Sequence, residues 1–163
     1  MASKYGFARV SCRSEGDFVN VNAKKVKYRK VHRGNRAGWS KGAREVAFGE
    51  FGLIAVEPGW ITARQIEAIR ITISRKLKKV GEYFFRIFPD KPVSKKPAET
   101  RMGGGKPGPE FWVSVVRRGR VVVEVSGIDK TAAKEILKQV QYKLPIATRF
   151  VENGGEAAVQ SPG

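Results

Sequence analysis

The sequence predicts an α+β protein in which two helices cover a mostly antiparallel sheet. Two segments, 61–80 and 129–145, repeat apolar residues at helical spacing. Short runs of β-branched and aromatic residues lie before, between and after them and are typical of strands. The 163 residues suit one domain, and a hydrophobic content of 41% can fill its core. A basic N-terminal arm and a long Pro/Gly loop complete the predicted fold.

The net charge limits the classes of partner. Lys and Arg number 32 against 15 Asp and Glu, which gives +17. Such an excess destabilises a compact chain by self-repulsion unless a polyanion neutralises it, so nucleic acid or an anionic membrane surface is favoured. No run approaches the ~20 apolar residues of a membrane-spanning helix, so no membrane span is expected. Cys12 is the only cysteine, which excludes an internal disulfide and a cysteine-based zinc cluster.

The N-terminal part predicts a flexible extension followed by an RNA-binding arm. Residues 1–17 show no clear periodicity, and residues 1–22 are expected to be a flexible extension, with a short organellar targeting segment as the alternative. Residues 24–44 hold nine basic residues and no acidic one. The flat side chains of Tyr28, His32 and Trp39 alternate with these charges. This pattern favours an arm that neutralises phosphates and stacks on bases over a merely solvated tail. The candidate RNA contacts are Lys24, Lys25, Lys27, Tyr28, Arg29, Lys30, His32, Arg33, Arg36, Trp39, Lys41 and Arg44.

A strand over 46–56 and a turn over 57–59 precede the first helix. Thr62 and Gln65 predict a capping box, and Ile61 and Ile66 are spaced as a hydrophobic staple. One face should pack on the sheet through Ile66, Ile69, Ile73, Leu77 and Val80. The opposite face should lie along a phosphate backbone through Arg64, Arg70, Arg75, Lys78 and Lys79.

Residues 89–110 are predicted to form a long loop without regular structure. They hold five of the eight prolines and three consecutive glycines, through which neither a helix nor a strand continues easily. A connection of this length is usually functional or disordered. The strand-like runs 83–88 and 111–116 flank it, so a sheet should hold out a loop with a basic tip. The candidate contacts of this loop are Arg101, Met102, Gly103, Gly104, Gly105 and Lys106.

The C-terminal third predicts a hairpin, a helix and a last strand. A tight basic turn over 117–119 should join strand 111–116 to an antiparallel strand over 120–125. Asp129 should cap a second helix that ends at Pro145, with the core stripe Ala133, Ile136, Leu137, Val140 and Leu144. A last strand is predicted over 146–151, and the small, polar tail 152–163 is predicted to be disordered.

Catalytic chemistry has little support. The acidic residues are dispersed, and a relay between His32 and Cys12 would join two mobile segments without a third orienting group. The Gly-Gly-Gly-Lys run at 103–106 is superficially similar to a phosphate-binding loop, but Pro107 and a strand follow it instead of a hydroxyl residue and a helix. No cofactor or metal is predicted. A phosphate-handling enzyme built on this loop and a free RNA chaperone are the alternative functions.

Six separated motifs resemble, in the same order, those of the ribosomal protein L-sixteen family, whose archaeal and eukaryotic form is L-ten-e. They are KYRK at 27–30 with HRG at 32–34, FGEFGL at 48–53, ITARQIEA at 61–68, RIFPDKP at 86–92, RMGGGK at 101–106 and KLPI at 143–146. The resemblance covers about residues 23–151, which are expected to form a single domain, and it implies an α/β-hammerhead fold.

The resemblance also implies a function. It implies a structural, non-enzymatic protein that binds 23S-type RNA of the large ribosomal subunit, beside neighbouring large-subunit proteins. It implies contact with aminoacyl-site transfer RNA and, as a second candidate, peptidyl-site transfer RNA near the peptidyl-transferase region. The expected location is a ribosome of the bacterial cytoplasm or of an organelle, and neither a membrane partner nor a homo-oligomer is expected. Two features depart from the family pattern, namely the additional residues 1–22 and Pro107, where the family usually has glycine.

Overall fold

The computed structural model describes residues 26–77 and 80–154. Within them the elements are β1 (Phe51–Ala55), β2 (Gly59–Thr62), α1 (Ala63–Leu77), β3 (Glu82–Phe85), β4 (Lys91–Ser94), β5 (Pro109–Val116), β6 (Val121–Ser126), α2 (Lys130–Gln141) and β7 (Thr148–Glu152). The predicted α+β class, with two helices and mostly antiparallel sheets, is confirmed. The predicted extension 1–22 lies outside the described residues.

The strands form two sheets. The first has the order β3-β6-β1-β7 and the second has the order β2-β5-β4. Every paired strand in both sheets is antiparallel. In the first sheet Leu53 lies opposite both Val123 and Phe150, so β1 is paired on both sides. In the second sheet β5 is central, with Trp60 opposite Val115 and Pro92 opposite Trp112.

The predicted hairpin between 111–116 and 120–125 is wrong. Its turn does form, since the N–H of Arg120 donates to the carbonyl of Arg117 at 3.3 Å. However, β5 pairs with β2 and β4, whereas β6 pairs with β1 and β3. The N–H of Gly119 donates to the carbonyl of Ala55 at 2.8 Å, which directs the chain from one sheet into the other. A turn motif fixes the reversal of the chain but not the strand beside which it continues.

The prediction of a structureless span over 89–110 is also wrong in part. Strand β4 lies inside this span, and β5 already begins at Pro109. Pro92 lacks the N–H that a central strand needs, but β4 is an edge strand, where that loss is tolerated. The irregular part is therefore residues 95–108, which we call the glycine loop. The sequence likewise does not reveal β2, because its four residues merge with the cap of α1.

Helix α1 begins as predicted with a reciprocal capping box. The N–H of Thr62 donates to Oε1 of Gln65 at 2.8 Å, and the N–H of Gln65 donates to Oγ1 of Thr62 at 3.3 Å. The core-facing residues Ile66, Ile69, Ile73 and Leu77 are buried, as predicted. Val80 is 77% exposed, contrary to the prediction, because the helix ends at Leu77 and the stripe does not continue.

Helix α2 and strand β7 also form close to their predicted positions. Asp129 caps α2 by accepting a hydrogen bond from the N–H of Thr131 at 3.2 Å, and hydrogen bonds from Thr131 lower the pKa of Asp129. The buried stripe of α2 consists of Ala133, Ile136, Leu137 and Val140, with Leu144 partly buried. Strand β7 runs to Glu152, so order extends into the segment predicted to be disordered, of which residues 155–163 lie outside the described chain.

The main core lies between the two helices and the four-stranded sheet. It joins Ile69 and Ile73 of α1 to Leu137 of α2 and to Val123 and Val125 of β6. A second cluster lies where the two sheets meet and contains Ile61 of β2, Ile66 of α1 and Val116 of β5. The side of α1 that is buried therefore bridges both sheets.

A fully buried carboxylate fixes the chain before β1. Oε2 of Glu124 accepts hydrogen bonds from the N–H groups of Ala47, Phe48 and Gly49 at 3.0, 2.6 and 2.9 Å. Its Oε1 accepts one from Nη1 of Arg86 at 2.5 Å. Gly49 is needed here because a Cβ would lie 2.7 Å from the carbonyl oxygen of Val125. One carboxylate thus joins β6 to the segment between the arm and β1 and to the residue after β3.

Replacing Glu124 by Gln should lower the free energy of unfolding by about 3–5 kcal/mol, because it leaves the Arg86 guanidinium without its charge partner in a buried site. Urea unfolding measures this loss. Glu135→Gln removes the same charge from the exposed side of α2 and is the control, with an expected change of about 0.5 kcal/mol or less. Equal losses in the two variants would contradict the role given to Glu124.

The rotation of α1 can be tested within one helix. Ile69→Ala and Ile73→Ala should each cost roughly 2–5 kcal/mol, since both side chains are fully buried and their removal leaves a cavity. Ile71→Ala should cost about 0.5 kcal/mol or less, because Ile71 is 37% exposed. Urea midpoints of the three variants decide the point, and a large loss at Ile71 would show that the helix is rotated.

Candidate RNA interface

The arm is an irregular segment fastened at its C-terminal half. Its described part, from residue 26, contains no helix or strand apart from an isolated bridge between Trp39 and Arg118. The N–H of Ser40 donates to the carbonyl of Arg118 at 2.8 Å, and the N–H of Val121 donates to the carbonyl of Ala43 at 2.7 Å. The turn between β5 and β6 therefore sets the path of the arm.

Three basic groups surround the indole ring of Trp60 on β2, and we call these four residues the Trp60 platform. The guanidinium carbons of Arg33 and Arg36 lie 5.6 and 5.0 Å from the ring centroid, and Nζ of Lys91 lies 5.4 Å from it. Attraction to the ring gives each cation about 0.5–1 kcal/mol at an exposed site. The three like charges repel one another, so a bound anion would stabilise the arrangement.

An open groove adjoins the platform. Its apolar surface includes Trp60, Pro92 and Phe111, and its basic groups come from Arg33, Lys91, Lys95 and Lys106. No acidic residue of the described chain lines it. Flat aromatic surface beside several cations suits a nucleotide, whose base stacks and whose phosphate pairs with Lys or Arg.

The structure thus adds residues that the sequence did not indicate. Arg33 and Arg36 are predicted contacts of the arm, but Trp60, Lys91 and Phe111 are not. Lys91 comes from β4 and Phe111 from β5, both far from the arm in sequence. Only the pairing of β2, β5 and β4 brings them together, so no local pattern could have revealed the platform.

Most other predicted arm contacts face solvent. The exposed ones are Lys27, Tyr28, Arg29, Lys30, His32, Lys41 and Arg44. Trp39 is half-buried and packs on Gly119, where an added Cβ would lie 3.1 Å from its ring. Trp39 therefore acts as a structural contact of the arm. Lys24 and Lys25 lie outside the described residues.

The basic face of α1 is less uniform than its sequence predicts. Arg64 and Arg75 are exposed. Nη2 of Arg70 lies 2.7 Å from Oε1 of Glu67, and this hydrogen bond is the main cause that raises the pKa of Arg70. Since its charge is already paired, Arg70 is the weakest candidate on this helix for a phosphate contact. Lys78 and Lys79 lie outside the described residues.

The glycine loop presents an exposed tip and an anchored end. Arg101 is exposed, and Met102 is 96% exposed. Gly103, Gly104 and Gly105 have φ angles of 101°, 73° and 76°, which other residues rarely adopt. Nζ of Lys106 instead donates to the carbonyl of Val31 in the arm at 3.0 Å. The predicted group 101–106 is therefore divided, because its last residue lies against the arm.

The described chain lacks the features of a metal cluster, a membrane-spanning helix and a phosphate-binding loop. It contains no group of three His, Cys, Asp or Glu residues that could hold a metal ion. None of its helices is long and apolar enough to cross a membrane. After Lys106 the chain enters β5, so the helix that a phosphate-binding loop requires does not follow.

Comparisons with known proteins match most of the chain. The family model described as ribosomal protein L16p/L10e matches residues 23–151. The large ribosomal subunit protein uL16 from two strains of Dehalococcoides mccartyi is 57% identical over 131 residues, which are 80% of this chain and 88% of the relative. The protein of the same name from Heliobacterium modesticaldum is 53% identical over 137 residues, covering 82% and 95% of the two chains.

If the platform binds phosphate, Arg36→Gln and Lys91→Gln should each weaken RNA binding. Each should also flatten the slope of log affinity against log salt by about 0.7–0.9, the loss expected for one phosphate contact. Filter binding to large-subunit ribosomal RNA at several salt concentrations measures both effects. Lys138→Gln, an exposed change on α2, is the matched control. An unchanged slope in both platform variants would contradict the assignment.

Proposed function

The chain belongs to the L16p/L10e family of ribosomal proteins, and we propose that the Trp60 platform and the arm hold it on large-subunit ribosomal RNA. The protein is a structural constituent of the large ribosomal subunit and not an enzyme. Ribosomal RNA and neighbouring subunit proteins are accordingly its expected partners. The platform is the observation that supports the RNA-binding surface most directly.

The charge distribution favours this surface over the basic residues that already have carboxylate partners. Arg33, Arg36 and Lys91 surround one ring, and no acidic residue of the described chain lines the groove beside them. By contrast, Arg70 and Arg86 are paired with carboxylates. Unpaired cations release counterions when they meet phosphates, whereas paired ones must first lose their partners. RNA is therefore proposed to meet the arm and the three-stranded sheet, with Arg64 and Arg75 of α1 as further contacts.

We also propose that the tip of the glycine loop contacts aminoacyl-site transfer RNA near the peptidyl-transferase region. Arg101 and Met102 project where no packing holds them, and the three glycines leave room for close approach of an RNA backbone. The planar guanidinium of Arg101 can donate two hydrogen bonds to one phosphate or stack on a base. Peptidyl-site transfer RNA is the second candidate for this tip.

The alternative functions lack such support. A phosphate-handling enzyme conflicts with the family and with the strand that follows Lys106. An RNA chaperone that acts off the ribosome would use the same basic surface, and its location would distinguish it. The matched relatives come from bacteria, which favours a bacterial ribosome over that of an organelle.

Sedimentation tests the proposed attachment. The protein should travel with large subunits through a salt-washed gradient, and the combined variant Arg33→Gln, Arg36→Gln and Lys91→Gln should be released at lower salt because three phosphate contacts are lost. A control with three exposed changes outside the platform, Lys134→Gln, Lys138→Gln and Arg149→Gln, should stay bound. Equal retention of both variants would contradict attachment through the platform.

The proposed contact between the loop tip and transfer RNA can be tested at Arg101. Arg101→Ala should leave the melting temperature and subunit assembly unchanged, because Arg101 is exposed. It should weaken aminoacyl-site transfer-RNA binding by roughly tenfold, the effect of losing one hydrogen bond from a charged group. Arg149→Ala, exposed on β7, is the control. Transfer-RNA binding to purified subunits measures the effect, and unchanged binding would show that the loop is only a spacer.

A further inference from the structure

Three lysines connect the arm to the base of the glycine loop. Nζ of Lys30 donates to the carbonyl of Lys106 at 2.7 Å, and Nζ of Lys106 donates to the carbonyl of Val31 at 3.0 Å. Nζ of Lys91, in the edge strand β4, donates to the carbonyl of Arg33. The bonds run in both directions between segments about 75 residues apart in sequence. We call Lys30, Lys91 and Lys106 the lysine clasp.

The acceptors of the clasp are all backbone carbonyls. Those of Val31, Arg33 and Lys106 lie in segments without regular secondary structure, so these hydrogen bonds give them partners that a helix or sheet would otherwise provide. A carbonyl satisfies an ammonium donor without cancelling its charge. The clasp therefore fixes geometry while the surface stays basic, which a carboxylate partner would not allow.

The tip of the loop has little else to orient it. A Cβ added at Gly103, Gly104 or Gly105 would meet nothing within 4 Å. The bond from Nζ of Lys96 to the carbonyl of Gly103 lies within the loop and cannot orient it against the core. The position of Arg101 must therefore be set at the base, where β4 and β5 hold the ends and the clasp adds the arm.

We propose that the lysine clasp couples the arm to the glycine loop, so that the ordered arm holds the loop tip in one position. Lys106 is then a positioning residue that acts through the arm, and it is not part of the contacting tip. A role of this coupling in RNA docking of the arm rests on the proposed function, whereas the coupling itself is a property of the free protein. By linkage, a partner that fixes the tip also favours the ordered arm to the same extent.

Distances between spin labels test the coupling in the full chain without RNA. The parent carries Cys12→Ser, Met102→Cys at the exposed tip and Lys138→Cys on α2, with a nitroxide label on each new cysteine. It should give one narrow distance distribution. Lys30→Ala changes only the arm, yet it should broaden the distribution at a tip more than 70 residues away in sequence.

Matched variants separate the clasp from a general loss of charge. Lys41→Ala removes the same charge from the arm, and Lys95→Ala removes it from the loop, and neither should broaden the distribution. Lys106→Ala should broaden it, Lys106→Arg should keep a donor and restore the narrow peak, and Lys30→Ala with Lys106→Ala should add little to either single change. Circular dichroism confirms that each variant is folded.

Two outcomes would overturn the proposal. One is an unchanged distribution in both Lys30→Ala and Lys106→Ala. The other is equal broadening by Lys41→Ala, which would show that charge alone matters. Since the measurement uses no RNA, it can fail while the sedimentation experiment succeeds, or the reverse. The coupling and the proposed ribosomal attachment are therefore judged separately.

Discussion

The buried carboxylate of Glu124 is the constraint on which the rest of the structure depends. It lies on β6, opposite Gly52 of β1 and Phe84 of β3, so it sits where three strands meet. A carboxylate in the interior is stable only if its oxygens accept hydrogen bonds. Here three backbone N–H groups and the guanidinium of Arg86 donate them. Through these hydrogen bonds the carboxylate sets the path of residues 47–49. It fixes the point from which the arm leaves the sheet.

The position of the arm depends on this attachment of residues 47–49. Residues 40–43 are hydrogen-bonded to the turn between β5 and β6, and the segment before them crosses the second sheet at Trp60. The turn directs the chain from the three-stranded sheet into the four-stranded one, so the arm lies across both. Hydrogen bonds to the core thus hold the C-terminal half of the arm in place, although this half has no regular structure. The remaining order of the arm comes from cations on the ring of Trp60 and from the lysine clasp.

Charge is divided between the core and the surface. In the core and on the helices, Arg70 and Arg86 have carboxylate partners. On the arm and the edge of the second sheet, the cations lie on an aromatic ring or donate to carbonyls, which leaves their charge available. A net charge of +17 opposes folding by self-repulsion unless a polyanion neutralises it, and the cations of the arm and the second sheet are free to meet one. The basic residues paired in the fold are therefore different from those proposed to bind RNA.

The sequence by itself determined the α+β class, both helices with their caps, their core stripes apart from Val80, and the ribosomal family. These features depend on residues close together in the chain, such as Thr62 with Gln65 or Asp129 with Thr131, so spacing reveals them. It could not determine that β5 and β6 belong to different sheets, that β4 forms around Pro92, or that Lys91 and Trp60 join the arm. Those outcomes depend on which distant strands pair, and a short motif carries no information about its partner. Only the tertiary structure decided that Lys106 lies against the arm while Arg101 stays at the tip. Arg101 and Lys106 lie close together in one basic loop, and the sequence does not show which of them has a hydrogen-bond acceptor within reach.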